Sequence, residues 1–493
     1  MPDIAVATSA APTAAPPARS RWWALGVISL AQLLVVLDAT VVNVALPDAQ
    51  RALGMSDGSR QWVITLYALT FGGLLLLGGR IADFWGRRRT FMVGMVGFAA
   101  ASALGGLAQN SAMLFAARGL QGVFAAGLAP AALSLLQITF PDGKARAKAF
   151  AVYGAIGAGG AAFGLVLGGL LTEYASWRWC LLVNLPVAAI AVIAGLRLLP
   201  ESKAPGRARY DLPGAVTVTV GLAALVYGFT SASERSWGSA VTITSLVAGV
   251  LFLAAFVAVE SRSDHPLLPL RIPLHRSRGG AYLASLIGGA ALLGGLLFLT
   301  YYFQLTLQYT PLHSGLAALP LTAAVLVAAV VATQLMARFG PKPLMVTGPV
   351  LAAGGLLLLT RIGVHSGYAS HVLPSELLIG LGLGFLFVPL SNIALVGVAN
   401  HDTGAASALV NATQQIGGAI GTAIFSTLYA SSVTTYLTTR TPSPTVQAEA
   451  FVHGYTTAFG WAAALMFLAG VTALILIKVK TEDLPTDAQT HLG

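Results

Sequence analysis

The chain of 493 residues is 56% hydrophobic and only 9% charged, whereas about a quarter of the residues in a soluble domain are charged. This balance argues against a soluble enzyme and predicts an all-α membrane protein built mostly of spanning helices. Because Cys180 is the only cysteine, intrachain disulfides and cysteine metal clusters are excluded. We expect no metal site and no cofactor.

Fourteen apolar runs follow one another along the chain, and each is long enough to cross a bilayer, which takes about 20 mostly apolar residues. The first run is long and is followed by many others, so we expect a retained first span and no cleaved signal peptide. The runs cover residues 22–46, 61–80, 90–109, 113–138, 149–171, 179–199, 213–231, 239–260, 281–304, 315–337, 343–362, 374–398, 405–430 and 455–478.

The basic residues between these runs predict the orientation of the chain. Lys and Arg are concentrated in the loops on the same side as the N-terminus. The positive-inside rule therefore places both termini in the cytoplasm. The formal net charge of +10 then marks a face that lies against anionic lipid, and no interaction with nucleic acid is predicted.

A short repeat predicts how the fourteen spans are organised. The letters GAIG occur at 154–157 in the fifth span and again at 418–421 in the thirteenth. If spans 1–6 correspond to spans 9–14, the chain consists of two six-helix bundles with two inserted helices between them. The predicted division is a disordered cytoplasmic N-terminus (1–21), an N-terminal bundle (22–199), a linker with the two extra helices (200–278), a C-terminal bundle (279–478) and a cytoplasmic tail (479–493).

Asp38 interrupts the first apolar run. It lies 16 residues after Trp22, which is about 24 Å along a helix, so it falls in the outer half of the membrane. An ionised carboxylate at mid-membrane costs about 2.5–3.5 kcal/mol. We therefore expect Asp38 to bind and release a coupling proton, or alternatively to remain ionised as a structural partner of Arg118.

The basic segment between the second and third spans, GGRIADFWGRRR, is predicted to form a tight cytoplasmic turn. Its glycines permit the turn, and its aspartate can accept hydrogen bonds from a helix N-terminus or an arginine. Such contacts would hold the cytoplasmic side closed in one state, although an ordinary positive-inside loop remains the alternative. The predicted gating residues are Gly79, Asp83, Gly86, Arg87 and Arg88.

Two further features lie inside spans. Arg118 falls about five residues into the fourth span, and a buried guanidinium is costly unless it is paired or functional; snorkelling to the interface is the alternative. In the fifth span, GAGGAAFGLVLGG, small residues recur at helical spacing and form a surface on which another helix can pack and slide. The glycines concerned are Gly157, Gly160, Gly164, Gly168 and Gly169; a packing face with no directional role is the alternative.

These segments resemble motifs A, B and C of the major facilitator superfamily. LDATVVNVALP (37–47) and SWRWCLLVNLP (176–186), together with HPLLPLRI (265–272) and NATQQIGGAIGTA (411–423), resemble its fourteen-helix drug:proton antiporter branch. The resemblance implies an exporter of amphipathic compounds across the cytoplasmic membrane of a bacterium. One departure is Leu165, where the antiporter motif usually has a proline after the residue that Gly164 matches.

Acidic side chains are scarce in the predicted spans 9 to 14, where Glu376 is the only acid. Aromatic and amide side chains are the candidates for a substrate cavity, which suits bulky amphipathic molecules that are neutral or carry one charge. We expect a monomer whose partners are this substrate, protons and membrane lipids. The cavity candidates are Asn43, Trp62, Tyr67, Gln121, Tyr301, Tyr302, Phe303, Gln304, Asn392, Asn411, Gln414 and Gln415.

The leading hypothesis is proton-coupled efflux of drugs or of an endogenous antibiotic or other secondary metabolite by alternating access. No phosphate-binding loop is present in the sequence, so ATP coupling is not indicated. Export or flipping of lipid is an alternative within transport. A proton-independent facilitator or uptake porter is another, and Leu165 makes it credible. A scaffold or receptor without transport is the least favoured, because it would not need Asp38, Arg118 and the glycines together.

Overall fold

The computed structural model describes residues 18–56, 59–140, 143–203, 211–264, 266–398, 403–441 and 443–479. Within these residues all regular structure is helical, and there is no β-strand. The predicted disordered N-terminus and polar tail fall almost wholly on residues 1–17 and 480–493, which lie outside the described residues, as do residues 204–210 of the predicted linker.

The described residues form sixteen α-helices and two short π-helical segments, π1 and π2. In chain order they are α1 (Ala18–Ala52), α2 (Trp62–Trp85), α3 (Arg87–Gly106), α4 (Ser111–Thr139), α5 (Gly143–Tyr174), α6 (Trp179–Leu182), α7 (Asn184–Leu198), α8 (Leu212–Glu234), α9 (Ala240–Arg262), α10 (Arg276–Tyr301), π1 (Tyr302–Thr306), α11 (Pro311–Ala317), α12 (Leu319–Phe339), α13 (Pro341–Leu359), π2 (Tyr368–Val372), α14 (Leu373–Leu395), α15 (Thr403–Thr438) and α16 (Pro444–Leu476).

Thirteen stretches of helix in the described part of the chain are long and apolar enough to cross a membrane. The predicted span at 90–109 is not among them. It corresponds to α3, whose 20 residues begin with Arg87, Arg88 and Arg89, so only the later part of this helix is apolar. The protein is thus an all-helical, multi-span membrane protein.

Two predicted spans are divided in the structure. The run at 315–337 is split at Ala318 into α11 and α12, and the run at 179–199 is split at Val183 into α6 and α7. Each second helix has a proline near its start, Pro320 and Pro186 respectively. Because proline has no N–H and restricts the residue before it, a helix readily begins there.

The helices on either side of α8 and α9 form two groups with the same pattern of contacts. α1 packs against α4, α5 and α7, as α10 packs against α14, α15 and α16. α4 also contacts α2 and α3, as α14 contacts α12 and α13. We call these groups the N-terminal and the C-terminal bundle.

Small residues allow close packing within the bundles. A Cβ atom on Gly78 would lie 2.0 Å from the carbonyl oxygen of Ala126, and one on Gly122 would lie 2.0 Å from the Thr70 hydroxyl. Both glycines therefore bring α2 and α4 closer together than any larger residue permits. Such contact matters in lipid, where helices associate through close packing and hydrogen bonds because lipid tails remove the hydrophobic driving force.

The inserted helices lie along the line of contact between α2 and α15. α8 packs against α9, α2 and α15. The Thr219 hydroxyl donates to the carbonyl oxygen of Gly73 at 3.4 Å, and the Thr427 hydroxyl donates to the carbonyl oxygen of Phe229 at 3.0 Å. The inserted pair therefore contacts both bundles on this side.

One end of the molecule carries basic side chains: Lys148 Nζ lies 5.3 Å from the centre of the Trp22 ring, and Arg146 Nε donates to the carbonyl oxygen of Phe140 at 2.9 Å. At the end that we call the basic end, the Trp22 and Phe140 rings lie 5.3 Å apart, and the backbone N–H of Lys478 donates to the Ser277 hydroxyl at 3.1 Å. The start of α1 and the end of α16 therefore lie at this end. The other end, which carries Arg60 and α11, is called the opposite end below.

Candidate functional site

Asp38 lies at the centre of a buried polar network in the N-terminal bundle, and its side chain has no solvent exposure. Arg118 Nη1 donates to Asp38 Oδ2 at 2.5 Å. Gln121 Nε2 and Asn184 Nδ2 each donate to Asp38 Oδ1 at 2.8 Å. Because all three neighbours donate, the arrangement suits the ionised carboxylate.

The network joins five helices. The Ser102 hydroxyl of α3 accepts from Gln121 Nε2 at 2.7 Å and from Asn184 Nδ2 at 3.2 Å. Arg118 Nε donates to the carbonyl oxygen of Val63 in α2 at 2.9 Å. A change in the charge of Asp38 on α1 is therefore felt directly by α4 and α7, and through them by α2 and α3.

Tyr67 and Gln121 were predicted to line the substrate cavity, and the structure places both in this network instead. The guanidinium carbon of Arg118 lies 4.5 Å from the centre of the Tyr67 ring, and Gln121 Oε1 accepts from Arg118 Nη1 at 2.8 Å. Ser102 and Asn184 were not predicted. The only signal for Asn184 was its place in the segment SWRWCLLVNLP.

The predicted glycines of α5 lie against α1 and α11. A Cβ atom on Gly164 would lie 2.0 Å from Thr40 Oγ1, and one on Gly168 would lie 3.0 Å from the Val41 Cα. Gly157 faces Gln32, Gly160 faces Leu33, and Gly169 faces Leu312 of α11. Since Thr40 and Val41 flank the turn of α1 that carries Asp38, the glycine surface contacts the same part of α1 as the polar network.

A cavity of about 470 Å³ lies between the two bundles. α1 and α5 line one side, and α10, α12, α14 and α15 line the other, together with Phe303 of π1. The lining is mainly apolar with hydroxyl and amide groups in support, and none of the lining side chains is charged. Leu395 and Ser407 extend the lining towards the basic end.

Four of the predicted cavity residues line this cavity, namely Asn43, Phe303, Asn411 and Gln414. Asp38 does not line it. Its neighbours Thr40 and Asn43 lie on the face of α1 that is turned to the cavity, while Asp38 faces the polar network. A substrate in the cavity would thus be separated from Asp38 by the backbone of α1.

The remaining candidates have other neighbours. The Trp62 ring lies 6.2 Å from the Tyr227 ring of α8. The Tyr302 hydroxyl donates to the carbonyl oxygen of Gly363 at 3.0 Å, and Asn392 Nδ2 donates to the carbonyl oxygen of Val388 in its own helix at 2.9 Å. Gln415 packs against α2, where a Cβ atom on Gly72 would lie 3.1 Å from its own Cβ.

The last two candidates, Tyr301 and Gln304, close the opposite end of the cavity. The Arg60 guanidinium lies 3.7 Å from the centre of the Tyr301 ring, and Gln304 Nε2 donates to the carbonyl oxygen of Val44 at 2.9 Å. Beside them the backbone N–H of Leu312 donates to Glu173 Oε2 at 3.1 Å. Each contact joins the N-terminal to the C-terminal bundle, so the cavity is closed at this end.

The segment 79–89 is held mainly within the N-terminal bundle. Arg87 Nη2 lies 3.0 Å from Asp83 Oδ1 across the turn at Gly86, where φ is +126°. The backbone N–H of Arg88 donates to Glu201 Oε1 at 3.3 Å. A Cβ atom on Gly86 would lie 2.7 Å from this same oxygen, so glycine is required at the turn.

Gly79 lies on the face of α2 turned to α4, where a Cβ atom would be 3.7 Å from Pro130. One residue on, Arg80 Nη2 donates to the carbonyl oxygen of Pro266 at 2.8 Å. In the part of the chain that the structure describes, this is the hydrogen bond that joins the segment to the connection before α10.

Comparison with known proteins identifies the family. The sequence-family model of the Major Facilitator Superfamily matches residues 28–422 of this chain. The puromycin resistance protein of Streptomyces alboniger is 50% identical over 485 residues, which is 98% of this chain and 96% of that protein. The cephamycin export protein of Amycolatopsis lactamdurans is 39% identical over 82% of this chain and 84% of its own.

Solved structures show the same fold. A bacterial homologue of the human lysosomal transporter spinster, in an inward-facing and occupied conformation, superimposes with a TM-score of 0.66 at 14% identity and covers 95% of this chain and 99% of its own. A cavity between the two bundles is the place where a transporter of this fold holds its substrate. The chain therefore belongs to the Major Facilitator Superfamily and is a multi-pass transporter of the bacterial cell membrane, not an enzyme.

Proposed function

We propose that the protein exports an amphipathic antibiotic or similar secondary metabolite in exchange for protons, by alternating access. α3 is then also a membrane span, which brings the number of spans to fourteen. The basic end and both termini lie in the cytoplasm, and the domains are the bundles at 22–199 and 279–478 with the inserted pair between them. The conformation described here, closed at the opposite end, corresponds to the inward-facing state of a monomer.

The observation that carries the proposal is the position of Asp38. It is a fully buried carboxylate whose helix contacts the cavity through Thr40 and Asn43. Three donors satisfy the ionised form of Asp38. Binding of a proton removes the negative charge that pairs with Arg118, and it weakens the hydrogen bonds of Asp38 to α4 and α7. Protonation thus favours a different arrangement of helices around α1.

α1 connects this network to the closed end of the cavity and to the glycine surface of α5. Gln304 binds the carbonyl oxygen of Val44 on the same helix, and Gly164 and Gly168 of α5 lie against Thr40 and Val41. A shift of α1 on the glycine surface would alter the closed end without any contact between proton and substrate. Coupling through two discrete arrangements of packed helices is the physical basis of alternating access.

The lining of the cavity supports the proposed substrate class. An uncharged, mainly apolar lining with amides from Asn43, Asn411 and Gln414 suits a bulky molecule that is neutral or carries one charge. Two relatives, a puromycin resistance protein and a cephamycin export protein, support an antibiotic as the cargo. Puromycin is therefore the first compound to test.

The experiment is transport into inverted membrane vesicles whose interior has been acidified. We expect Asp38→Asn to abolish uphill accumulation of puromycin and of a lipophilic dye, because the side chain no longer binds and releases a proton. The variant should retain exchange of labelled for unlabelled substrate at equal concentrations, which needs no net proton movement. Asp48→Asn, whose carboxylate pairs with Arg51 in the same helix, is the matched control and should transport normally.

Normal uphill accumulation by Asp38→Asn would refute proton coupling through this residue. Downhill transport that does not depend on pH, in the parent protein and in Asp38→Asn alike, would instead support a proton-independent facilitator, the alternative that Leu165 favours. If Asp38→Asn loses both exchange and uphill accumulation, Asp38 serves the structure of the bundle.

A further inference from the structure

Glu376 is a second buried carboxylate, on the other side of the cavity. It lies in the first turn of α14 and has no solvent exposure. No ion pair reaches it in the described part of the chain, and its Oε1 atom has no hydrogen-bond partner there. An ionised oxygen buried without a partner would be very costly, whereas the carbonyl oxygen of a neutral carboxylic acid is far less so.

The Tyr368 hydroxyl shows which partner holds the proton. Its oxygen lies 2.7 Å from the carbonyl oxygen of Ala317 and 3.0 Å from Glu376 Oε2. A tyrosine has one hydroxyl proton, and a backbone carbonyl can only accept. If Tyr368 donates to Ala317 across the shorter distance, the contact with Glu376 is a hydrogen bond only when the carboxyl group donates.

From this we infer that Glu376 is a proton-binding residue of the opposite-end gate, protonated while Tyr368 holds α11 through the carbonyl oxygen of Ala317. The inference adds a pH-sensitive gate to the proposed transport cycle and rests on the proposed function for its role there. Because this proton returns to the side from which it came, it is distinct from the coupling proton at Asp38. The protonation state itself can be measured without transport.

α11 is the element that this proton would control. Its last residue, Ala317, accepts from Tyr368, and its Leu312 N–H binds Glu173 of α5. A Cβ atom on Gly315 would lie 2.3 Å from the carbonyl oxygen of Leu165. α11 therefore closes the opposite end by direct contact with α5, and Ala318, which follows it, lines the cavity.

When Glu376 loses its proton, the hydrogen bond between Glu376 and Tyr368 reverses its direction. An ionised Glu376 accepts the hydroxyl proton more strongly than a neutral carbonyl does, because charge-assisted hydrogen bonds are the stronger ones. Tyr368 then no longer donates to Ala317, so α11 loses one of the attachments that hold it in the position where it packs against α5. The proton that Glu376 releases passes to external water as the gate opens and is regained from there as it closes.

Few other charged groups face Glu376. On the elements packed against α14, the described charged residues lie at the basic end, and α15 has none. These residues are Arg276 and Arg278 on α10, Arg338 on α12 and Lys342 on α13. Near the opposite end lie Tyr309, stacked on the exposed His313, and the exposed Arg361, His365 and His371. Glu376 and Tyr368 thus form a titrating unit at this end.

The first test is infrared spectroscopy of the purified full-length protein in lipid nanodiscs at neutral pH. We expect a carboxylic-acid carbonyl band that disappears in Glu376→Gln and remains in Asp38→Asn. A spectrum that Glu376→Gln leaves unchanged would overturn the assignment, whatever happens to transport. Loss of pumping in Asp38→Asn with the band intact would support both proposals.

The second test measures the gate with Thr300→Cys, a cavity-lining position, in a Cys180→Ser background. In whole cells, a membrane-impermeant maleimide should label this cysteine more as external pH rises. Glu376→Gln should show low labelling at every pH, because its amide keeps donating to Tyr368. Tyr368→Phe should be labelled about fivefold more than Glu376→Gln at every pH, as expected for loss of a hydrogen bond worth about 1 kcal/mol.

A misfolded protein would not produce these opposite changes in the two variants. Two results would overturn the gate role. One is labelling of the parent protein that does not change with external pH, and the other is labelling of Glu376→Gln that still does. If both variants behave as expected while Asp38→Asn pumps normally, Glu376 stands as a gate residue and the proposed coupling through Asp38 falls.

Discussion

Arg118 makes polar contacts in three directions from one planar group. Nη1 binds Asp38 and Gln121, Nε binds the carbonyl oxygen of Val63, and the plane lies over Tyr67. A lysine could supply the positive charge but has a single ammonium group that cannot reach all of these acceptors. The geometry of the group, and not only its charge, therefore holds the network together.

Arg118→Lys should consequently impair transport even though the charge is kept. Loss of one hydrogen bond between charged partners costs about 1.5–3 kcal/mol, which corresponds to a reduction of roughly tenfold or more in pH-driven puromycin uptake. Uptake into inverted vesicles at equal protein levels is the measurement, with the exposed pair member Arg51→Lys as control. Uptake within twofold of the parent would show that charge alone suffices.

The neighbours of Asp38 show where sequence reasoning stops. A carboxylate and an arginine inside apolar runs can be recognised, because charge in a membrane span is costly wherever it lies. Ser102 and Asn184 are neutral and give no such signal. Whether Asn184 reaches Asp38, and whether Ser102 reaches Asn184 and Gln121, depends on the rotation of α7 and α3. Gln121 follows Arg118 by one turn of α4, and it binds that residue and does not line the cavity to which its amide character had assigned it.

Among the helices, α5 shows how a packing surface depends on single hydrogen atoms. Gly164 faces Thr40 so closely that even one methyl group would require the threonine or the helix to move. Gly159, five residues earlier in the same helix, has nothing within 4 Å of its missing Cβ. The two glycines therefore form a matched pair with the same chemistry and opposite surroundings.

We expect Gly164→Ala to reduce export severalfold, Gly164→Leu to abolish it, and Gly159→Ala to have little effect. Leu165→Pro should keep substantial export, because it removes one helical hydrogen bond beside flexible glycines and adds no atoms towards α1. Puromycin uptake at equal protein levels in the membrane ranks the four variants. Loss of export in Leu165→Pro together with full activity in Gly164→Leu would mean that α5 does not slide on α1.

The turn between α2 and α3 is the second element with a predicted gating role. The sequence predicted that contacts of Asp83 with a helix N-terminus or an arginine would hold the cytoplasmic side closed in one state. In the conformation described here, the carboxylate binds Arg87 in its own segment. Both side chains are partly exposed, so the pair itself contributes little to stability. Its position is compatible with a contact that changes partner between states.

Asp83→Asn should shift the balance between conformations without changing substrate affinity, because the residue is remote from the cavity lining. Ser407→Cys in a Cys180→Ser background reports access from the basic end, since Ser407 lines that part of the cavity. We expect altered labelling in inverted vesicles and an unchanged dissociation constant for puromycin. Unaltered labelling with weaker binding would contradict a gating role, and Asp48→Asn is the control.

At the scale of the whole molecule, the two bundles touch at the opposite end through a small number of polar contacts. Gln304 to Val44, Arg60 on Tyr301 and Leu312 to Glu173 all join the N-terminal to the C-terminal bundle. Contacts worth about 1 kcal/mol each can hold a two-state equilibrium and still be broken when the charge of one buried group changes.

Gln304→Leu should therefore favour the outward-open conformation. Removing the bond to Val44 without adding volume is expected to raise the labelling of Thr300→Cys from outside about fivefold, from a net hydrogen-bond energy of about 1 kcal/mol. Gln308→Leu, whose amide binds only within its own turn, is the matched control. Equal labelling of the two variants would show that this contact does not hold the end closed.

Much of the overall architecture could be predicted because a membrane imposes a simple rule: a span needs about 20 apolar residues. The division of the run at 315–337 into α11 and α12 could not, since a proline in an apolar run is compatible with a kinked single helix as well as with two helices. Yet this division creates the short helix that contacts α5. The path of the chain at the closed end thus depends on tertiary packing, which the pattern of apolar residues in the sequence does not predict.

The separation of Asp38 from an uncharged cavity has an electrical consequence for the proposed exchange. Because the protein ends each cycle in the state in which it began, the net charge that moves in one cycle is the charge of the substrate minus that of the protons, and no charged side chain of the lining offsets the charge of the substrate in between. Exchange of one proton for a monocation would be electroneutral and driven by the pH difference alone. A neutral substrate would make the cycle electrogenic, and a membrane potential of 100 mV would then add about 2.3 kcal/mol per proton to the driving force. The same protein would thus concentrate a neutral antibiotic more steeply than a cationic one.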